Sequence, residues 1–359
     1  MDAFIDKLEL SKLGFSKTVH KSEGRPPYAP GVLLKLYLYG YLNKIRSSRK
    51  LEKECLRNTE LQWLLHQLQP NYHTIADFCK MHAQPLQHMF RLYVQFLGDA
   101  GLQGKTTIAV DGSKFKAVNS RKNNYNQKKI DKHQQFIADK TAKYLQELDE
   151  LDSQENTSSD DLQIKKEKIA LGMAKLNERT IKYDTLQQQL DNTTDKQIST
   201  TDPDSRSIII VKNIVEVAYN VQNAVDDKHN LIVQRSEFQD AVDHNNNNIK
   251  QNPQYYKRRQ AIVEHPFGTI KRHWGYTHTL LKDLQKVNGE MNLIMLCYNF
   301  LRTTNILGFD KMLLAINNWK PDYKKAIGSF KMTILKSSYR QNASLIFLST
   351  KRFGYLMAG

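Results

Sequence analysis

Hydrophobic spacing changes period several times along the chain. Residues 1 to about 104 repeat at helical spacing. After a pair of prolines, PPYAPGVLLKLYLYGYLNKIRSSRKLEKECL carries Leu33, Leu34, Leu36, Tyr37, Tyr41 and Leu42 on helical positions. NTELQWLLHQL and NYHTIADFCKMH follow, each opening on an asparagine. Short helices joined by tight polar turns resemble a helix-turn-helix module as readily as a plain bundle. In TTIAVDGSKFKAV (106–118) the period falls to two, which predicts a buried strand ending at the carboxylate of Asp111. From 127 to 198 the period is seven: Ile130, Ile137, Tyr144 and Leu151, then, past the polar SQENTSSD, Leu162, Ile169, Leu176, Tyr183 and Leu190. That pattern predicts an antiparallel coiled-coil hairpin. It carries no catalytic pattern and reads as an insertion for DNA contact or self-association, which leaves a homo-oligomer open.

Strand chemistry returns in SIIIVKNIVEVAYNVQNAVDDKHNLIVQ (207–234), with DDKHN as a hairpin turn whose acids, Asp226 and Asp227, are expected to face solvent. The next stretch, SEFQDAVDHNNNNIKQNPQ, is polar and without alternation. GEMNLIMLCYNFLRTTNIL (289–307) predicts a buried helix, and residues 309–359 read as a basic tail.

Composition narrows the partners. Lys and Arg number 53 against 37 Asp and Glu, a formal net charge of +16. Such an excess suits a polyanion, nucleic acid ahead of a membrane surface. Three scattered cysteines in no metal-binding spacing read as reduced thiols, and so as a cytoplasmic protein. No apolar run reaches the length of a membrane span; LIMLCYNFL (293–301) is the best and is too short.

The candidate chemistry lies in two places. YYKRRQAIVEHPFGTIKR (255–272) holds five Lys or Arg and one acid, Glu264. A carboxylate on a helix packed across a sheet can meet one held by a strand, here Asp111, and oxygen ligands of this kind suit Mg²⁺ or Mn²⁺. Lys271 lies two turns beyond Glu264, on the same face of a continuous helix. Pro266 is expected to start or kink that helix. Arg258, Arg259 and Arg272 are placed to bind a nucleic-acid strand, and Lys44, Arg46, Arg49 and Lys50 form a second basic cluster at a helix junction. The plain alternatives stay open: Glu264 as a surface acid paired with a neighbouring base, and Asp111 as a turn residue before glycine.

The chain resembles the DDE transposases of bacterial insertion sequences, which join a helical amino-terminal domain to a ribonuclease H-like core. The matching stretches are PPYAPGVLLKLYLYGYLNKIRSSRKLEKE, VDGSKFKAVNSR, TDPDSR, YNVQNAVDDKHNLIV, YKRRQAIVEHPFGTIKR and NLIMLCYNFLR. The resemblance implies an α+β protein. Its parts would be a helical domain over 1–104, a mixed-sheet core over 105–308 interrupted by the coiled-coil hairpin at 127–198, and the tail. It further implies Asp111 as the first catalytic aspartate, Glu264 as the catalytic glutamate, both as ligands of Mg²⁺ or Mn²⁺, and Lys271 beside them. Tyr256, Arg259 and Lys271 fall on a loose form of the family's Tyr-Arg-Glu-Lys signature, with an Arg-to-Glu gap one residue longer than the commonest version. The implied partners are the double-stranded terminal repeats of the element and its target DNA.

One part of the pattern is missing. The family's second aspartate lies in a strand followed by a glycine-tyrosine turn, and no such stretch occurs here. Only 235–255 separates the last predicted strand from the glutamate segment, too little for a crossover and a further strand. The simplest account is an internal deletion near Val233–Gln234, leaving an incomplete core with an uncovered sheet edge. Neither Asp226 nor Asp227 at the hairpin turn, nor Asp240 nor Asp243, is a compelling substitute. Two functions follow: a transposase impaired in metal-dependent strand cleavage and transfer, or a DNA-binding remnant that occupies element ends.

Overall fold

In the computed structural model the described residues are 1–16, 27–104, 108–153, 159–193, 195–211, 214–236 and 253–327. They form two compact units, one of residues 1–117 and 219–359, the other of 118–218.

The larger unit starts with six helices: α1 (Asp2–Asp6), α2 (Pro30–Leu42), α3 (Ser48–Arg57), α4 (Thr59–Leu64), α5 (Tyr72–Met81) and α6 (Ala83–Asp99). Pro30 opens α2, where its fixed φ suits a first helical turn. Asn58 and Asn71 cap α4 and α5 through their side-chain oxygens, which accept from backbone amides two and three residues on. Helix α2 is so deeply packed that Lys35 is buried, its ammonium 2.6 Å from both Asp2 and Asp6. The strands of this unit are β1 (Ile108–Lys116), the second half of β5 (Ile214–Asp226) and β6 (Ile232–Ser236), with β5 between the other two. Helices α9 (Pro253–Gly268), α10 (Leu284–Leu307), α11 (Phe309–Asn318) and α12 (Tyr323–Ile327) complete it.

The core lies between α6 and α10. Leu293 to Phe300 are buried without interruption, so α10 is covered on every side. At Gly289 the two helices come so close that a Cβ would lie 2.5 Å from the Cα of Ala83, which requires glycine there. Phe4 meets Tyr93 edge-on at 5.1 Å and Trp319 at 6.3 Å. Trp319 also donates from Nε1 to Asp99 at 2.9 Å. The first part of the segment expected to be a basic tail is therefore helical and packed into this core. Residues 328–359 lie outside the described residues.

Polar residues inside the apolar run of α10 hold the β5–β6 turn. Asn299 donates to the carbonyl of Ile232 at 2.7 Å and accepts from its amide at 2.9 Å, substituting for a neighbouring strand. Tyr298 donates to Asn230 and Arg302 to His229. The edge expected to be uncovered is thus covered at Ile232. Asp226 does not face solvent as expected: it is 1% exposed and accepts from Gly104 and Lys228 amides. These bonds fix the segment leading into β1, so the turn is folded inward. Asp240 and Asp243 lie outside the described residues.

The smaller unit is built on a helical hairpin. Helices α7 (Gln127–Asp152) and α8 (Ser159–Asp191) pack antiparallel. Their levels are set by Gln127 with Gln187, Tyr144 against Gly172, and Lys166 with Asp152. Ile130, Ile137, Leu176, Tyr183, Leu186 and Leu190 form its core with Tyr125. At its base β2 (Asn124–Asn126) pairs antiparallel with β3 (Gln197–Ser199), and β4 (Arg206–Val211) pairs antiparallel with the first half of β5. Lys129 pins the entry by donating to the carbonyls of Arg121, Lys122 and Asn124. The TDPDSR stretch closes this base: Ser199 donates to the carbonyl of Ser205, and Asn119 donates to its hydroxyl.

Candidate active site

Asp111 lies in the middle of β1, not at its end as the pattern predicted, because the strand continues through Gly112 to Lys116. A Cβ at Gly112 would lie 2.6 Å from Asn220 Oδ1 on β5, so glycine here makes room for that side chain rather than breaking the ladder. Lys116 then donates to the carbonyl of Thr277 and accepts from the amide of Thr279, clamping the strand to the segment after α9.

Helix α9 packs on β1. Arg259 is buried on it, with Nη2 3.8 Å from Asp111 Oδ1 and Nη1 3.5 Å from the carbonyl of Val110. Burial raises the pKa of Asp111 above its ordinary range; the Arg259 guanidinium and the Gly112 amide oppose that rise, and the charge of Glu264 adds to it. Asp111 and Glu264 are therefore within electrostatic reach of one another. Glu264 itself is exposed and accepts from Gln260, one turn back on the same helix.

Pro266 does not start α9 but lies inside it. A five-residue π turn, Thr269–His273, follows directly, closed by the amide of Trp274 donating to the carbonyl of Thr269. The Lys271 ammonium donates to the carbonyl of Lys114 and lies 4.7 Å over the ring of Phe115. Burial, and then the nearby Lys114 charge, lower its pKa to about 8. Arg272 is exposed. The side chains of Tyr256 and Arg258 lie outside the described residues.

The basic cluster at the α2–α3 junction divides in two. Lys44, Arg49 and Lys50 are exposed, with Arg49 5.1 Å from the ring centre of Tyr72. Arg46, expected among the phosphate contacts, is turned inward. Its guanidinium pairs with Glu290 of α10, donates to the carbonyl of His278 and lies over the ring of Tyr276. Glu290 in turn accepts from the amides of Leu280 and Leu281. Sequence reasoning missed Glu290, although a lone acid at the start of an apolar helix signals a buried partner.

Two family models match the chain. Residues 1–81 match a family described as Transposase domain (DUF772). Residues 208–300 match the Transposase DDE domain. Together the two matches support an insertion-sequence DDE transposase. The DDE domain implies a ribonuclease H-like core and supports a nuclease and transposase activity at the level of the family. Glu264 and Lys271 fall inside the second match, whereas Asp111 lies between the two. No curated protein and no solved structure matches the transposase. Among the described residues no helix is long and apolar enough to cross a membrane.

DDE domains generally use divalent metals. Among the described residues, however, no three His, Cys, Asp or Glu side chains gather in a group able to hold a metal ion. Asp111 and Glu264 supply two carboxylates, and the first of them faces a guanidinium. This donor set does not complete a divalent site, for which two-ion phosphodiester chemistry asks several oxygen ligands around a shared centre.

Proposed function

We propose that this transposase binds the ends of its insertion sequence and target duplex DNA, and that its own strand cleavage and transfer are impaired. The observation that carries this reading is the donor set around Asp111: a buried arginine faces it, and only Glu264 is within electrostatic reach as a second acid among the described residues. In this reading Asp111 and Glu264 are the first and last carboxylates of the family's centre, the ones that would meet Mg²⁺ or Mn²⁺, and Lys271 lies at its margin. The middle aspartate was lost in an internal deletion near Val233–Gln234. Residues 1–104 are the amino-terminal DNA-binding domain.

DNA binding does not need the missing acid. Exposed Lys44, Arg49, Lys50 and Arg272 are long cations free to reach phosphate, and the net charge of +16 attracts a duplex from any direction. The sequence adds Tyr256 and Arg258 to the proposed set, and their side chains lie outside the described residues. Arg46 and Arg259 do not belong to it, because both guanidinium groups are buried against carboxylates.

The test is cleavage of supercoiled DNA carrying the element's own ends, in Mn²⁺, beside Asp111→Ala and Glu264→Ala. The expected outcome is retarded mobility of the end fragment with no nicking by any of the three proteins. Nicking by the parent chain that both substitutions abolish would show a complete centre and overturn the proposal.

A further inference from the structure

Helix phase explains why Arg259 meets Asp111. Arg259 and Glu264 are five residues apart, which separates them by about 140° around an α-helix. A spacing of four would bring them within about 40°. The residue at that spacing is Gln260, and its amide does bond Glu264. Arg259 is rotated away from the exposed face that carries Glu264 and toward β1, where its side chain is only 7% exposed.

We propose that Arg259 is the resident counter-charge of Asp111, a positioning residue that holds the β1 carboxylate and competes with divalent cations for it. The inference rests on reading Asp111 as the first carboxylate of the family's centre. A guanidinium keeps its charge at any pH the protein survives, so it cannot step aside by losing a proton. A divalent ion would have to reach within about 2.1 Å of a carboxylate oxygen. Arg259 Nη2 stands 3.8 Å from that oxygen and repels such an ion at short range. The Val110 carbonyl, 3.5 Å from Nη1, gives the guanidinium a second anchor on the same strand.

The experiment measures Mn²⁺ binding to the full chain without DNA, by the loss of the free-ion paramagnetic resonance signal. The proteins are the parent chain, Arg259→Met, Arg259→Lys, and Arg259→Met combined with Asp111→Asn. Removing the guanidinium should tighten Mn²⁺ binding about tenfold, as expected when a like charge leaves a site a few ångströms away. The gain should disappear in the double variant, and Arg259→Lys should bind as weakly as the parent. A folded Arg259→Met protein with unchanged or weaker Mn²⁺ binding would overturn the proposal, as would a gain that persists without Asp111. If Arg259→Met does not fold, the double variant decides: recovery of a cooperative melt shows that the lesion was the unpaired carboxylate, and failure to recover makes Arg259 a packing residue and refutes the idea. Because neither DNA nor cleavage enters the readout, nicking by the parent chain would refute the impaired-cleavage reading while leaving this result to stand on its own.

Discussion

Two buried arginines of this transposase face carboxylates, and they do so very differently. Arg46 touches Glu290, which is 1% exposed and also accepts from two backbone amides. Both side chains of that pair are enclosed, and the node joins the α2–α3 junction to the loop after the π turn and to α10. Arg259 stands 3.8 Å from Asp111, whose side chain is 37% exposed. The first pair is enclosed on both sides; the second is buried on the arginine side and open on the carboxylate side. A pair of the first kind fixes a fold. A pair of the second kind leaves a carboxylate oriented and accessible, which is what a site requires and a core does not.

The largest expected effect tests that contrast on stability. Glu290→Ala leaves the Arg46 guanidinium buried without its partner and strips two backbone amides of their acceptor. Removing one member of a buried pair costs about 3–5 kcal/mol. Asp111→Ala should cost about 1 kcal/mol or less, since water reaches that carboxylate and screens the pair. Urea unfolding of both variants measures the difference; equal losses would erase the distinction between the two pairs.

How much of this was legible in the sequence differs between the same two regions. The heptad spacing of Ile130 through Leu190 announced the helical hairpin, because its periodicity is local and repeats. The alternation around Val110 announced β1. The position of Asp111 within the strand was not legible, since a glycine after an acid signals a turn unless Asn220 on another strand occupies the space. The inward turn of Arg46 was equally hidden: its partner is 244 residues away. The spacing of Arg259 to Glu264 was visible as one residue too long, but its consequence needed the helix phase and the neighbouring strand. The π turn that holds Lys271 was not legible, because no simple pattern marks one beyond the nearby Pro266.

Comparing the larger unit with the hairpin gives a smaller, local effect. Leu176 is 6% exposed within the hairpin core. Leu176→Ala should cost about 2–4 kcal/mol through the cavity it leaves. The loss should appear in hydrogen exchange over α7 and α8 and spare α6 and α10, which share no core residue with it. Uniform loss of protection would mean the two units melt as one.

DNA affinity offers a gentler comparison within the basic cluster at the α2–α3 junction. Each phosphate contact contributes about one to the slope of log affinity against log salt. Arg49→Ala and Lys50→Ala should each reduce that slope by about one. Arg46→Ala, once corrected for the fraction folded, should leave it unchanged. Binding to end-containing DNA across a salt series distinguishes the two kinds of arginine, and a slope that falls with Arg46→Ala would place it on the phosphate after all.

The smallest effect concerns Lys271 and follows from its pKa of about 8, held down first by burial and then by the Lys114 charge. Unfolding returns the lysine to its ordinary value of 10.5, so between these two values the unfolded chain binds the extra proton. Stability contributed by this group must therefore rise as pH increases through that window. Below pH 8 the ammonium is charged in both states and its burial cost is fully present; above 10.5 that cost is gone. The gain is modest, because the side chain is only part-buried and its ammonium already donates to the Lys114 carbonyl. Lys271→Met removes the titration and should flatten the stability profile between pH 8 and pH 9.5, measured by urea unfolding at both values. A profile with the same slope in the variant would mean that Lys271 is as well solvated in the folded protein as in the unfolded chain.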